Sequence, residues 1–221
     1  MKKYITILIF LSCATQYVCA QDSRNPTRFL EIGGGPAAYR GDLTPRFERW
    51  SGMVHLGLKL NFKERFNSHV TLLAGNVEGQ NINYFSAFNH QYPAADYFKT
   101  RILSLNYNLQ FHLIKTDQFM LWVSQGVGLL RFSPRDAFGE DLLSRTDTRA
   151  PNEDFSNVSL SFPTTLGAAY FFPNHYGIGL QAGLLNPMTD YIDNISQLSK
   201  NPVRDNVLML KMVLMVPITY E

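Results

Sequence analysis

From residue 28 onward, apolar and polar side chains alternate with a period of two, the spacing of a strand whose two faces meet different surroundings. The clearest stretch is 102–112, where Leu103, Leu105, Tyr107, Leu109 and Phe111 face one way and Ser104, Asn106, Asn108, Gln110 and His112 the other. Residues 52–62 set Val54, Leu56, Leu58, Leu60 and Phe62 against His55, Gly57, Lys59 and Asn61. The same reading predicts strands over 119–131, 158–170 and 176–185, and less regular ones over 28–38, 66–76 and 207–219. In the first of these, Leu30 and Ile32 oppose Glu31, Gly33 and Gly35, and in the last Lys211 is the one charge on its face. Eight strands are expected.

The connections follow a second rhythm. Those at 63–65, 113–118 and 171–175 are short and carry the turn formers Lys63-Glu64-Arg65, Lys115-Thr116-Asp117 and Pro173-Asn174. Those at 77–99, 133–155 and 186–206 are long and polar, and 39–51 is intermediate. Alternation of long and short loops along antiparallel strands places all long loops at one end and both termini at the other. An even strand count with this asymmetry is the pattern of an outer-membrane barrel. The expected architecture is all-β: an eight-stranded antiparallel transmembrane up-and-down β-barrel following a cleaved signal peptide, with termini in the periplasm and long loops outside.

Composition sharpens the choice between a membrane barrel and a soluble lipocalin-like one, which periodicity alone leaves open. The apolar face turns to lipid in the first and to a core in the second. The opposite face here is rich in Gly, Ser, Asn, Gln and His, which suits a small lumen filled by side chains. The chain holds 16 Phe, 11 Tyr and 2 Trp, and Phe62, Phe66, Phe111, Phe119, Tyr170, Phe171, Tyr176 and Tyr220 sit at strand ends like an interfacial girdle. Residues 1–20 read as a signal peptide: Lys2 and Lys3, an apolar run from Ile5 to Leu11, and Val18-Cys19-Ala20 before the cut. Lipoprotein processing at Cys13 is the alternative. Residues 21–27 form a short tail and 28–221 the barrel domain.

Lys2 and Lys3 lie in the leader, so the remaining basic side chains balance the 18 acidic ones. A neutral chain lacks the basic footprint of a nucleic-acid binder. Cys13 and Cys19 also lie in the leader, leaving no disulfide or thiolate chemistry for the mature chain. No Gly-x-Ser-x-Gly element is present, and Gly33-Gly34-Gly35 is followed by no Lys-Ser/Thr pair. No catalytic residue and no cofactor are expected. Asp42, Asp190 and Asp193 could hold a hard cation or accept backbone N–H groups in turns. His55, His69 and His112 share the polar face and read as hydrogen-bonding lumen groups rather than metal ligands. The loop 77–99 carries Tyr84, Phe85, Phe88, Tyr92, Tyr97 and Phe98 and suits either a contact surface or a lid.

The segment Glu31-Ile-Gly-Gly-Gly-Pro-Ala-Ala-Tyr39-Arg-Gly-Asp-Leu43, the strand opening Arg101-x-Leu103-Ser-Leu, and Thr189-Asp-Tyr-Ile-Asp-Asn194 resemble a Bacteroidetes outer-membrane barrel family. That family includes the barrel component of the type IX secretion and gliding machinery. The resemblance implies rim elements at Tyr39, Gly41 and Asp42 and at Asp190, Tyr191 and Asp193, packed where the first and last strands meet. It also implies docking to periplasmic ring proteins or a lipoprotein, for which the short turns at Lys63, Glu64, Arg65, Lys115, Asp117 and Asn174 are the expected surface. The functional expectation is a non-enzymatic anchor or docking subunit. A stand-alone structural or adhesion barrel and a small-solute channel are the alternatives.

Overall fold

The computed structural model describes residues 26–41, 44, 46–80, 97–144, 156–195 and 205–220. The segment expected to be a leader, Asp42 and the aromatic core of the 77–99 loop lie outside them. Strands run as β1 (Pro26–Arg40), β2 (Trp50–Leu60), β3 (Phe66–Gln80), β4 (Tyr97–Lys115), β5 (Phe119–Arg135), β6 (Val158–Ser161), β7 (Thr164–Phe171), β8 (Gly177–Leu185) and β9 (Asn206–Tyr220). A 3-10 turn at Leu142–Ser144 follows β5. Neighbouring strands pair antiparallel, with β6 and β7 both pairing with β5, and β1 pairs with β9, so the sheet closes. Closure removes every sheet edge, which backbone inside a bilayer requires.

The barrel has eight staves, because β6 and β7 are halves of one. The break falls at Phe162-Pro163, where proline has no N–H to donate. The pairing register runs through it unbroken, with Gln125 opposite Thr164 and Gly128 opposite Ser161. The Phe162 N–H bonds the Asn186 carbonyl and the Pro163 carbonyl accepts from Gly126 N–H, so the wall stays closed.

The short turns are built by their own side chains. Asn67 ties the 63–65 turn by accepting from Lys63 N–H at 2.9 Å and donating to the Lys63 carbonyl at 2.5 Å. The Thr116 hydroxyl accepts from Phe119 N–H at 3.0 Å. At the third turn His175 adopts a left-handed φ of 63°. At the other end β3, β4 and β5 extend farther than the alternation predicts, so the wall there stands taller.

The outward face is apolar along the described staves: Val54, Leu105, Leu180 and Met212 are all more than half exposed, as a lipid-facing belt demands. Phe62, Phe66, Phe119, Tyr170 and Tyr176 are exposed near the short-turn end, as expected of a girdle. Phe171 departs from that expectation. It points inward and packs on Phe29 with ring centroids 5.2 Å apart, while Phe172 takes the outer position.

The inward face is less uniformly polar than the sequence suggests. Towards the long-loop end it is hydrocarbon: Met53, Leu73, Val77, Phe98, Ile102, Leu130, Leu185, Ile192, Val207 and Met209 form one cluster. A smaller one, with Phe29, Met120, Trp122, Phe171, Val213 and Met215, fills the short-turn end. Between them lies a layer of charges and amides.

Candidate functional site

Register assembles the middle layer. Glu31 on β1 stands opposite Gly57 on β2, and Gly57 stands opposite Thr71 on β3. His55 and Lys59 flank Gly57 two positions away on either side, and His69 lies opposite Lys59. All four of these side chains point into the lumen. Gly57 is the gap over which they converge: a Cβ there would come within 2.6 Å of His69 Nε2 and 3.0 Å of His55 Nε2.

Glu31 is fully buried, and its Oε2 lies 3.2 Å from His55 Nε2 and 3.2 Å from His69 Nε2. Gln181 Nε2 from β8 donates to the same oxygen at 3.0 Å. Lys211 Nζ from β9 donates to His55 Nδ1 at 3.4 Å, and Gln110 Nε2 from β4 donates to His69 Nδ1 at 2.9 Å. Lys59 Nζ sits 3.8 Å above the Trp122 ring centroid, a cation–π contact with no hydrogen-bond acceptor in reach. Trp122 in turn lies against the bare backbone of Gly167, where any Cβ would collide with its ring. Asn106, Asn108, Thr71, Ser104 and Ser161 complete the layer with bonds among themselves.

Of the described residues, Glu31 is the one buried carboxylate at the level of the two buried lysines, Lys59 and Lys211, which makes it the keystone of the layer. Among the described residues the other buried acids, Asp136, Asp193 and Asp205, lie at the outer end. The void left at this level, lined by His69, Thr71, Asn106, Gln181 and Lys211 among others, measures about 10 Å³. That is room for about one water.

The three lumen histidines all hydrogen-bond inside the barrel, as expected, but they are not evenly placed. His112 stands apart from the other two: its Nδ1 accepts from Asn67 Nδ2 at 3.2 Å and its ring lies beside Trp122. His55 and His69, by contrast, are not scattered. With Glu31 they bring one ligand atom each to within 4.8 Å of the others, the one such group among the described residues. Alternation placed Glu31 on the inner face, but nothing in the spacing showed that it meets histidines from two other strands. The lumen serines bond to Asn106 or to the Thr165 carbonyl, not to a histidine, so no nucleophile–base pair forms there.

At the outer rim the Tyr39 hydroxyl donates to Asp205 Oδ1, and Asp205 Oδ2 accepts from Ile192 N–H at 2.8 Å. Burial and the neighbouring Asp193 push the Asp205 carboxyl well above the ordinary carboxylate range. Asp193 Oδ1 accepts from Ile195 N–H at 3.0 Å, a turn contact, and Tyr191 N–H bonds Thr189 Oγ1 at 3.2 Å. Gly41 N–H donates to the Thr44 carbonyl at 2.9 Å. Asp190 and Tyr191 line a groove of about 790 Å³ running along this rim past Val158, Phe162, Met188 and Asp205. At the opposite end Glu64, Arg65, Lys115 and Asp117 line an open vestibule of about 730 Å³ whose floor is His112, Phe29 and Met120. Lys115 Nζ crosses it to the Lys63 carbonyl at 2.8 Å, and Asn174 Oδ1 accepts from Tyr176 N–H at 3.3 Å.

No protein-family model and no curated protein sequence matches the chain. Solved structures do. Neisserial surface protein A superposes with a TM-score of 0.55 at 10% identity, covering 87% of this chain and 97% of the other. The attachment invasion locus protein Ail of Yersinia pestis gives 0.48 at 10% identity over 86% and 97%, and the outer membrane protein OprG of Pseudomonas aeruginosa 0.44 at 11% over 88% and 98%. The likeness is one of fold. It corrects the expected kinship with the type IX secretion and gliding barrels: no family model supports it, and the structural match is to a small surface barrel of another group. With its closed ring of eight antiparallel staves, lipid-facing outer belt and periplasmic termini, the chain is a small outer-membrane β-barrel.

Proposed function

We propose that this protein is a stand-alone, non-enzymatic barrel whose outer rim and long loops contact molecules at the cell surface. One observation carries the reading: beyond the vestibule the lumen is plugged, with only about 10 Å³ free at the charged layer. A filled interior offers neither a conduit nor a ligand cavity, and it turns the barrel into a rigid support for what it displays outside. The display end is well supplied. The rim groove of about 790 Å³ has an apolar flank, Phe138 stands 93% exposed just beyond β5, and Met188 is 64% exposed beside the groove. Exposed aromatic and methionine side chains on a polar rim favour contact with a protein or glycan surface.

The test pairs two measurements. A non-adherent host bacterium displaying the barrel is scored for attachment to immobilised glycans and matrix proteins, with segment 136–157 intact or replaced by a Gly-Ser linker. Attachment that disappears with the replacement, in a barrel that still shows heat-modifiable migration, supports the proposal. Reconstitution in planar bilayers supplies the counter-test. Steady unitary conductance altered by Lys59→Ala or Lys211→Ala would move the reading to a small-solute channel.

A further inference from the structure

We infer that Glu31, His55 and His69 form a binding site for a divalent transition ion of the zinc or cobalt type, held inside the wall by three adjacent strands. Two imidazoles and a carboxylate are a ligand set such ions favour, whereas calcium and magnesium select oxygen. The spacing fits. Ligand atoms about 2.0–2.1 Å from a tetrahedral ion stand about 3.3 Å apart, and Glu31 Oε2 lies 3.2 Å from each histidine Nε2. The space exists as well, because the absent side chain of Gly57 leaves open a point 2.6 Å from one Nε2 and 3.0 Å from the other.

Two unmatched atoms point the same way. Glu31 Oε1 and His69 Nε2 are buried and have no hydrogen-bond partner. Gln110 Oε1, beside His69, is also without one. A half-turn of the Gln110 amide lets that oxygen accept from His69 Nδ1–H and leaves the Nε2 lone pair facing Glu31. This is the outer-shell arrangement that fixes a metal-bound imidazole. Gln181, already bonded to Glu31 Oε2, holds the carboxylate in the same manner. The small void lined by His69 and Gln181 has room for a water as a further ligand.

Lys211 is the competitor. Its Nζ occupies His55 Nδ1 and so places the ring proton on Nε2, facing Glu31. For the ion to bind, Lys211 must turn away from His55, Nδ1 takes the ring proton, and Nε2 becomes a ligand. Lys59 stays over Trp122 and repels the ion from the short-turn side. A lysine withdrawn from a neighbouring cation should therefore strengthen the site.

The untagged full chain, refolded in detergent, is titrated with cobalt(II) and zinc(II), and zinc is also supplied during refolding so that a sealed lumen cannot hide the site. One ion per chain is expected after desalting, with the intense visible absorption of four-coordinate cobalt and a higher unfolding temperature reversed by chelator. Lys211→Met should bind about tenfold more tightly or better, since a like charge is removed from a poorly screened interior. His55→Gln/His69→Gln, confirmed as folded by heat-modifiable migration, should retain no stoichiometric ion. Absence of bound metal in both wild type and Lys211→Met overturns the site, as does metal retained by the double histidine variant. Should the double variant fail to fold, Lys211→Met decides alone, and an affinity equal to wild type refutes the inference.

Discussion

At the level of Glu31 the lumen is filled by charges and amides, whereas farther out the same strands fill it with hydrocarbon from Met53, Leu73, Phe98, Ile102 and Met209. Both regions are buried and both plug the barrel. They differ in what a single loss leaves behind. In the apolar plug a truncated side chain leaves a void whose lining has lost contacts. In the charged layer it leaves a charge without its partner, and the dielectric that made the pair strong makes the orphan costly. Packing in the first is distributed over many neighbours, while the second converges on one carboxylate.

The largest effect that should separate the two belongs to Glu31→Gln. Two lysines then face a neutral amide, and we expect a loss of about 3–5 kcal/mol in denaturant unfolding from lipid vesicles. A loss below about 1 kcal/mol would show that the layer does not depend on its acid. Phe98→Ala, which removes the edge-to-face partner of Tyr39 at 5.0 Å between ring centroids, tests the apolar plug in the same assay. We expect about 3 kcal/mol, with no dependence on ionic strength. The pair Glu31→Gln and Lys59→Met sharpens the contrast. Because Lys59 is satisfied mainly by Trp122 and by the charge of Glu31, adding Lys59→Met to Glu31→Gln should restore at least about 1 kcal/mol. Additive losses would refute the convergence on Glu31.

The smallest effect lies at the rim and carries a pH signature. The folded-state value of Asp205 is raised, so the folded protein holds this proton more tightly than the unfolded chain. Its contribution is full below the ordinary carboxylate range and is lost as pH rises through the raised value. Asp205→Asn still offers an acceptor to Ile192 N–H and should flatten that fall, with little change at acidic pH. A wild-type profile already flat across that window would contradict the assignment.

The strand pattern was legible because each stave separates two media. Wherever lipid lies on one side and a packed lumen on the other, a period of two must appear, and the inner positions of His55, Lys59, His69, His112 and Lys211 follow directly. Phe171 escaped because its stave ends in four successive aromatic or small residues, Ala169-Tyr170-Phe171-Phe172, whose alternation only the pairing with β8 resolves. The split at Phe162-Pro163 was equally out of view, since proline interrupts the ladder without moving the register. Most of the inner apolar residues were hidden for a related reason: in a stave whose outer face is also apolar, Leu130 between Leu129 and Arg131 carries no contrast.

The sequence by itself determined the class of the molecule, the number of staves, which end carries the long loops and which polar residues look inward. Those features depend on local alternation and turn chemistry, and each stave encodes them alone. What only the tertiary structure decided is the company those inward residues keep. Glu31, His55, His69 and Lys211 come from four strands, and they meet because closure and stagger set each stave's height relative to the next. One residue of slip between β1 and β2 would send Glu31 to lipid and dissolve the layer. The alternation that reveals the face of every residue repeats identically at each pair of positions, so it carries no record of height.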